Sequence, residues 1–357
     1  ARIRDLYVPD SVRSGCRRIS DLVQTEETLM KRKYTALTAV LAATTVLMAG
    51  TWFLSARQSG TDTVETVLAA SVSGNVTGIS YNTAEEQLRF VLREEQWFWE
   101  DDSEFPLSQG YAQTMTSLLQ NVTATELVTE NCPDFTEYGL EKPKKTITAE
   151  TDEGETVTLY LGDQNTHTKD YYMRIGDENA LYTVDSTFYD SFNHDLYSMA
   201  AYEEWPAASA ESVTSMQLES ADASFLISRR EETTSEDDSS VTEIYTYTDA
   251  DESFDTEDIT AASLLNDASS VSFTGLAAFR PDASAVASYG LETPSATLTV
   301  TYLTASGAEE TCTLQIGTKS ESGDYPVRIE NSNCVYWMDG DLVDEFLTFS
   351  SDLLLVY

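Results

Sequence analysis

EYGLEKP at 137–143 and SYGLETP at 288–294 are nearly the same seven residues, 151 positions apart. Each phrase holds Tyr-Gly-Leu and then proline at the same offset: Tyr138, Gly139, Leu140 and Pro143, and again Tyr289, Gly290, Leu291 and Pro294. Glycine takes a positive φ without a Cβ penalty, which suits the residue that ends a short helical turn. The leucine then tucks into a core, and the proline biases the chain before it toward extended backbone. The phrase therefore predicts a structural corner where a turn hands over to a strand. Gly and Pro are turn punctuation first, which favours that reading over a ligand loop.

Working outward from the corner, the likeness extends. ETVTLYLGD (155–163) matches ETCTLQIGT (310–318), and YYMRIGDENALYTVDSTFYDSF (171–192) matches YPVRIENSNCVYWMDGDLVDEF (325–346). These alignments pair Arg174 with Arg328, Tyr182 with Tyr336, Asp185 with Asp339 and Phe192 with Phe346. Upstream, TSLLQNVTATEL (116–127) resembles ASLLNDASSVSF (262–273). Copies this long are not solenoid units and predict two tandem homologous domains, over 74–200 and 212–357, joined by a linker at 201–211.

The periodicities give the class. Val157, Leu159 and Leu161 alternate with Thr156, Thr158 and Tyr160, and Leu298, Val300 and Tyr302 alternate with Thr297, Thr299 and Thr301. Such period-two runs are half-buried antiparallel strands. LRFVLREEQWFW continues the strand pattern, whereas Leu107, Tyr111, Met115, Leu118 and Leu119 fall at helical spacing. Each copy reads as strands, one longer helix, a four-strand meander and a short closing helix. The expected class is α+β, with helices covering a mainly antiparallel sheet.

Charge is uneven along the chain. Residues 1–60 hold 9 of the 21 Lys+Arg and 5 of the 61 Asp+Glu, leaving 12 against 56 afterwards, a net −44. A body this acidic does not bind nucleic acid through phosphates; it should stay soluble and monomeric by itself and attract cations or basic surfaces. The break coincides with Lys31, Arg32 and Lys33, followed by 21 uncharged residues, Tyr34–Leu54. That run is long enough to cross a bilayer core of ~30 Å. The basic triplet predicts a single-pass anchor at 34–54 in the cell membrane, with 1–33 cytoplasmic and everything beyond the 55–73 linker extracytoplasmic. A cleaved signal peptide would ordinarily have a shorter apolar run. Residues 1–29 fit neither half, and MKRK at Met30 reads like a natural start, so 1–29 is either a short tail or upstream sequence.

The order of strand pair, Pro-Leu helix, YGL-x-x-P, LYLGD strand, Arg-bearing strand and closing VD resembles the domain of unknown function 4340 family, in both copies. Before its helix the second copy departs from that pattern, with a longer acidic stretch over 230–258. Members of that family are commonly anchored extracytoplasmic bacterial proteins, often encoded beside ABC-2-type export systems. The resemblance implies an accessory role at such a transporter, with integral-membrane transporter subunits as partners. It brings no catalytic residues to carry over.

The residues agree with that reading. G-x-S-x-G, H-E-x-x-H and Walker A sequences are absent, and His167 and His194 have no counterparts in the second copy. No cofactor is expected. Asp249, Asp251, Ser253 and Asp255 alternate like a calcium loop, but Phe254 stands where glycine is needed and Thr260 where a bidentate glutamate belongs. A solvated loop is the simpler expectation. Cys312 and Cys334 replace core hydrophobes, and an extracytoplasmic location would allow a bond between them if neighbouring strands brought them together. The sequence thus predicts a non-enzymatic, membrane-anchored binding or scaffolding module. The alternatives are a cell-envelope hydrolase using carboxylates, and a ligand-capturing receptor with a cleft between its domains.

Overall fold

Alternating strands and five helices assemble in a computed structural model that describes residues 66–354 apart from 208, 222 and 234–240. In chain order the first half comprises β1 (Val67–Ser71), β2 (Val76–Asn82), β3 (Gln87–Arg93), β4 (Gln96–Trp99), α1 (Gln109–Gln120), β5 (Asn121–Ala124), β6 (Glu126–Thr129), β7 (Lys145–Thr151), β8 (Thr156–Gln164), β9 (Tyr171–Ile175), β10 (Leu181–Val184) and α2 (Ser186–Ser191). The second half comprises β11 (Val213–Ser220), β12 (Ser224–Thr233), β13 (Val241–Thr248), β14 (Ser253–Thr256), α3 (Ile259–Ser269), β15 (Gly275–Phe279), α4 (Ala283–Ser288), β16 (Ala296–Leu303), β17 (Glu309–Ile316), β18 (Tyr325–Ile329), β19 (Cys334–Met338) and α5 (Gly340–Thr348). The protein is α+β and sheet-rich, its strands paired antiparallel.

The two large sheets run β4-β3-β2-β7-β8-β9-β10-β6 and β14-β13-β12-β11-β16-β17-β18-β19-β15. From β6 and β15 inward the orders correspond strand for strand, and the second sheet carries β14 as an additional edge. In the first sheet the edge at that place is closed differently. The side-chain amide of Gln109 accepts from the Trp97 N–H at 2.8 Å and donates to the Trp97 carbonyl at 2.9 Å. An amide so placed occupies the backbone groups that an added strand would otherwise pair with, which blunts the edge.

Each sheet buries one face under its helices. Ala112, Met115 and Leu119 of α1 turn inward beside β2, and Ala261, Leu264, Leu265 and Ala268 of α3 pack beside β11. Asp185 caps α2 by accepting from Phe188 N at 2.8 Å, and Asp339 caps α5 by accepting from Asp341 N at 2.8 Å. The second half has one helix more than expected. Asp282 caps an alanine-rich stretch to make α4, where the first half has only a 3-10 turn, Thr136–Tyr138. LRFVLREEQWFW, read as strand, folds as the β3–β4 hairpin, because Glu94 and Glu95 both take positive φ, 50° and 66°. Two left-handed residues form the turn that Asn-Gly usually signals, so Glu-Glu concealed it.

Two residues of the segment 201–211, expected as a linker, are buried. Trp205 is 7% exposed and Ala207 fully buried, and the Trp205 indole N–H donates to the Ala268 carbonyl at 2.8 Å. Nearby, the Phe105 ring meets Phe279 edge-on at 5.5 Å and stacks on Tyr197 at 6.1 Å. Arg280 pairs with Asp102 at 3.1 Å and with Glu104. The main apolar cluster draws on both sheets. Residues 1–65, with the expected anchor at Tyr34–Leu54, lie outside the described residues; among those described, no helix is long and apolar enough to cross a membrane.

Candidate functional site

The corner that opened the sequence has a definite geometry. Gly139 ends the 3-10 turn with φ 71°, and Gly290 follows α4 with φ 72°. Leu140 and Leu291 are each 2% exposed, in small apolar clusters separate from the main core. Each tyrosine carbonyl lies against a glycine, Tyr138 on Gly162 of β8 and Tyr289 on Gly317 just past β17, so closely that neither glycine has room for a Cβ. Thr318 N donates to the Tyr289 carbonyl at 2.9 Å. Tyr289 Oη donates in turn to the Ala277 carbonyl at 2.9 Å, tying the corner to edge strand β15. These residues make structure.

Asp249, Asp251, Ser253 and Asp255 lie at and beyond the β13–β14 turn and do not converge. Asp255 takes a bidentate pair from Arg230 at 2.9 and 2.7 Å, together with the Thr246 hydroxyl, which hold its carboxyl down at about 2. Asp249 accepts from the Tyr247 hydroxyl and from the backbone N–H groups of Asp251 and Glu252. Ser253 bonds across the strands to Thr248 at 2.9 Å. Among the described residues no cluster of His, Cys, Asp or Glu is arranged to hold a metal. Cys312 and Cys334 are buried and free, as is Cys132. The first two sit on β17 and β19, with β18 between them, so they are not on neighbouring strands.

A further site lies outside the residues that the sequence singles out by motif. Beside α1 and the end of α2 lies an open cleft of about 390 Å³, lined by Ser108, Gly110, Tyr111, Thr114, Ser191 and His194. His194 meets the Tyr111 ring at 4.7 Å. Behind the cleft Lys145 is only 2% exposed. Its ammonium donates to the Phe192 carbonyl at 2.6 Å and to Asn193 Oδ1 at 3.0 Å, beneath the rings of Tyr189 and Tyr81 at 5.2 and 5.7 Å. Tyr81 Oη donates to the His194 carbonyl at 2.9 Å. Two polar groups rising from β2 and β7 thus hold the 192–194 loop from inside. Counting in register, the second sheet places Leu218 and Ala296 at these positions, so the device belongs to the first sheet alone. The available signal was that contrast, a lysine aligned with an alanine at an inward strand position.

Burial lowers the Lys145 ammonium to about 8, with the charge of Asp190 opposing in part. Its folded value lies below the ordinary 10.5, so between about pH 8 and 10.5 the unfolded chain binds more protons and stability rises with pH. From pH 7 to 9.5 this single group is expected to add about 2 kcal/mol. Lys145→Met removes it. Urea midpoints at the two pH values should diverge in the native chain relative to the variant; parallel midpoints would refute the buried-amine account.

Compared with known proteins, residues 97–278 match the model of one family, described as Domain of unknown function (DUF4340). The match begins in β4 and ends in β15, crossing both sheets. Neither a curated protein nor a solved structure matches the chain.

Proposed function

We propose, since the chain belongs to the domain of unknown function (DUF4340) family, that it is a non-enzymatic binding and scaffolding module on the outer side of a bacterial cell membrane. In this reading Tyr34–Leu54 anchors it, the two sheets are two copies of one domain, and the whole serves as an accessory component of an ABC-type export system. The observation that carries the reading is the joint between the sheets. Phe105 against Phe279 and the Arg280–Asp102 pair join the two sheets, and the main apolar cluster draws on both, a build suited to presenting a fixed surface.

Six of the described carboxyls are unsuited to serve as the general acid of a hydrolase. Asp134, Glu150, Asp152, Asp249, Asp255 and Asp344 are all lowered, by hydrogen bonds and, at Glu150, Asp255 and Asp344, by a basic partner as well. A carboxyl acting as general acid in glycoside hydrolysis needs the opposite shift. The cleft beside His194 favours a second reading, capture of a small ligand.

The test is an anchor exchange. Replacing Tyr34–Leu54 with an unrelated leucine-rich span is expected to reduce co-purification of a transporter subunit by about tenfold, through lost helix–helix packing at Ala42, Ala43, Ala49 and Gly50. Deleting 212–357 should reduce it less. Undiminished co-purification after the exchange, or a hydrolytic activity abolished by one carboxylate substitution, would count against the accessory reading.

A further inference from the structure

Among the described residues Lys145 is the one buried base. Burying an ammonium opposes folding at neutral pH, because the charged form loses its hydration. The second sheet does without Lys145 and Tyr81, having Ala296 and Leu218 at their register positions. Counting from the paired Phe192 and Phe346, it has Glu345 and Thr348 where Ser191 and His194 stand. The interior pair and the cleft wall above it therefore occur together, in one sheet only. What the pair fixes is that wall. Lys145 holds the Phe192 carbonyl and Asn193 at 2.6 and 3.0 Å, and Tyr81 holds the His194 carbonyl at 2.9 Å.

The cleft so walled, about 390 Å³, has the size of a small-ligand site. Its lining residues include no carboxylate, lysine or arginine, so it offers a charged ligand no partner. It offers hydroxyls instead. Thr114 and Ser191 direct their protons to the Gly110 and Thr187 carbonyls at 2.9 and 2.8 Å, which leaves their oxygens as acceptors. Ser108 does not cap α1, so its hydroxyl is not committed to the helix. The half-buried Tyr111 and His194 rings meet at 65° and supply an apolar surface, with the imidazole nitrogens and the phenol as polar atoms at its edge.

We infer that this cleft binds a neutral sugar, with a pyranose ring laid against Tyr111 and His194 and its hydroxyls bonded to Ser108, Thr114 and Ser191. A pyranose is apolar on its C–H faces and polar around its edge, and the cleft is divided in the same way. An anionic ligand would approach against the field of 56 acidic and 12 basic residues after position 60. A cationic one would find no carboxylate in the lining. A neutral ring meets neither obstacle. This inference deepens the ligand-capture reading of the cleft and rests on it.

The test reads the imidazole itself, in the full chain held in a detergent without sugar headgroups. The chain has two histidines, so the His194 Cε1–H resonance is assigned by its loss in His194→Gln, and His167 is an internal control. The probes are methyl β-glucoside, methyl β-galactoside and N-acetylglucosamine, with glucuronate and cyclohexanol for comparison. His194 is expected to shift saturably with at least one of the neutral pyranoses while His167 stays still. Glucuronate and cyclohexanol should bind about tenfold more weakly, the first for its charge and the second for its missing hydroxyls. Tyr111→Leu should weaken the sugar by about tenfold as well. Lys145→Met should weaken it by about threefold without lowering the melting temperature at pH 7, which separates holding the wall from holding the fold. Silence with all three pyranoses overturns the inference, as does an equal response to glucuronate or cyclohexanol, or undiminished affinity in Tyr111→Leu. Unchanged affinity in Lys145→Met removes that residue's positioning role. A shift with cyclohexanol alone overturns the sugar and leaves the cleft a ligand site, whereas silence with every probe removes both readings.

Discussion

Replacing Trp205 with alanine is expected to destabilise the protein by about 4 kcal/mol, the range for deleting a buried aromatic side chain from a core. Trp205 is 7% exposed and its indole N–H fills the acceptor of Ala268 at the end of α3. Alanine would leave a cavity the size of the indole and strand that carbonyl, two losses that add. Trp205→Phe keeps much of the volume and forfeits the hydrogen bond, so about 1–2 kcal/mol is expected there. Urea midpoints of the two variants measure this directly. A Trp205→Ala midpoint within about 1 kcal/mol of the native chain would mean that the 201–211 segment is a loose tether after all.

Gly317→Ala and Gly162→Ala are each expected to cost about 3 kcal/mol, at the upper end for overpacking, because the obstacle is backbone. A Cβ on Gly317 would overlap the Tyr289 carbonyl oxygen and come within 3.0 Å of Pro326 Cγ; on Gly162 it would overlap the Tyr138 carbonyl and reach 3.0 Å from Leu140 Cγ. A side chain can rotate away from such a contact, but a carbonyl in a corner cannot. Relief would shift the corner and break the Thr318 N to Tyr289 O bond, and with it the Gly317 N to Pro326 O bond of 2.8 Å. Gly275→Ala is the control: its Cβ meets only Trp337 Cδ1 at 3.5 Å, and the change should stay within about 0.5 kcal/mol. Equal midpoints for Gly275→Ala and Gly317→Ala would sink the account of the corner.

The sheet-rich α+β class was legible because burial on one face of a strand writes itself as alternation. Leu159 and Leu161 are fully buried and Tyr160 is not, as period two requires. Where strand residues met a turn of unusual composition, legibility stopped. Glu94 and Glu95 carry no glycine or asparagine, so their positive φ left no mark in the letters. The polar sites were less visible still. Lys145 looked like any strand-end lysine until the tyrosines of β2 and α2 closed over it.

From sequence alone came what depends on neighbours in the chain: strand periodicity, helix stripes and the repeated corner. Backbone conformation and the burial of alternate faces are set within a few residues, so a local reading reaches them. Only the tertiary structure decided which residues meet across long separations. Gln109 closes an edge strand, Trp205 joins the core of the second sheet, and Cys312 and Cys334 stand apart with β18 between them. Such contacts are determined by register and packing, which couple positions that no local pattern relates.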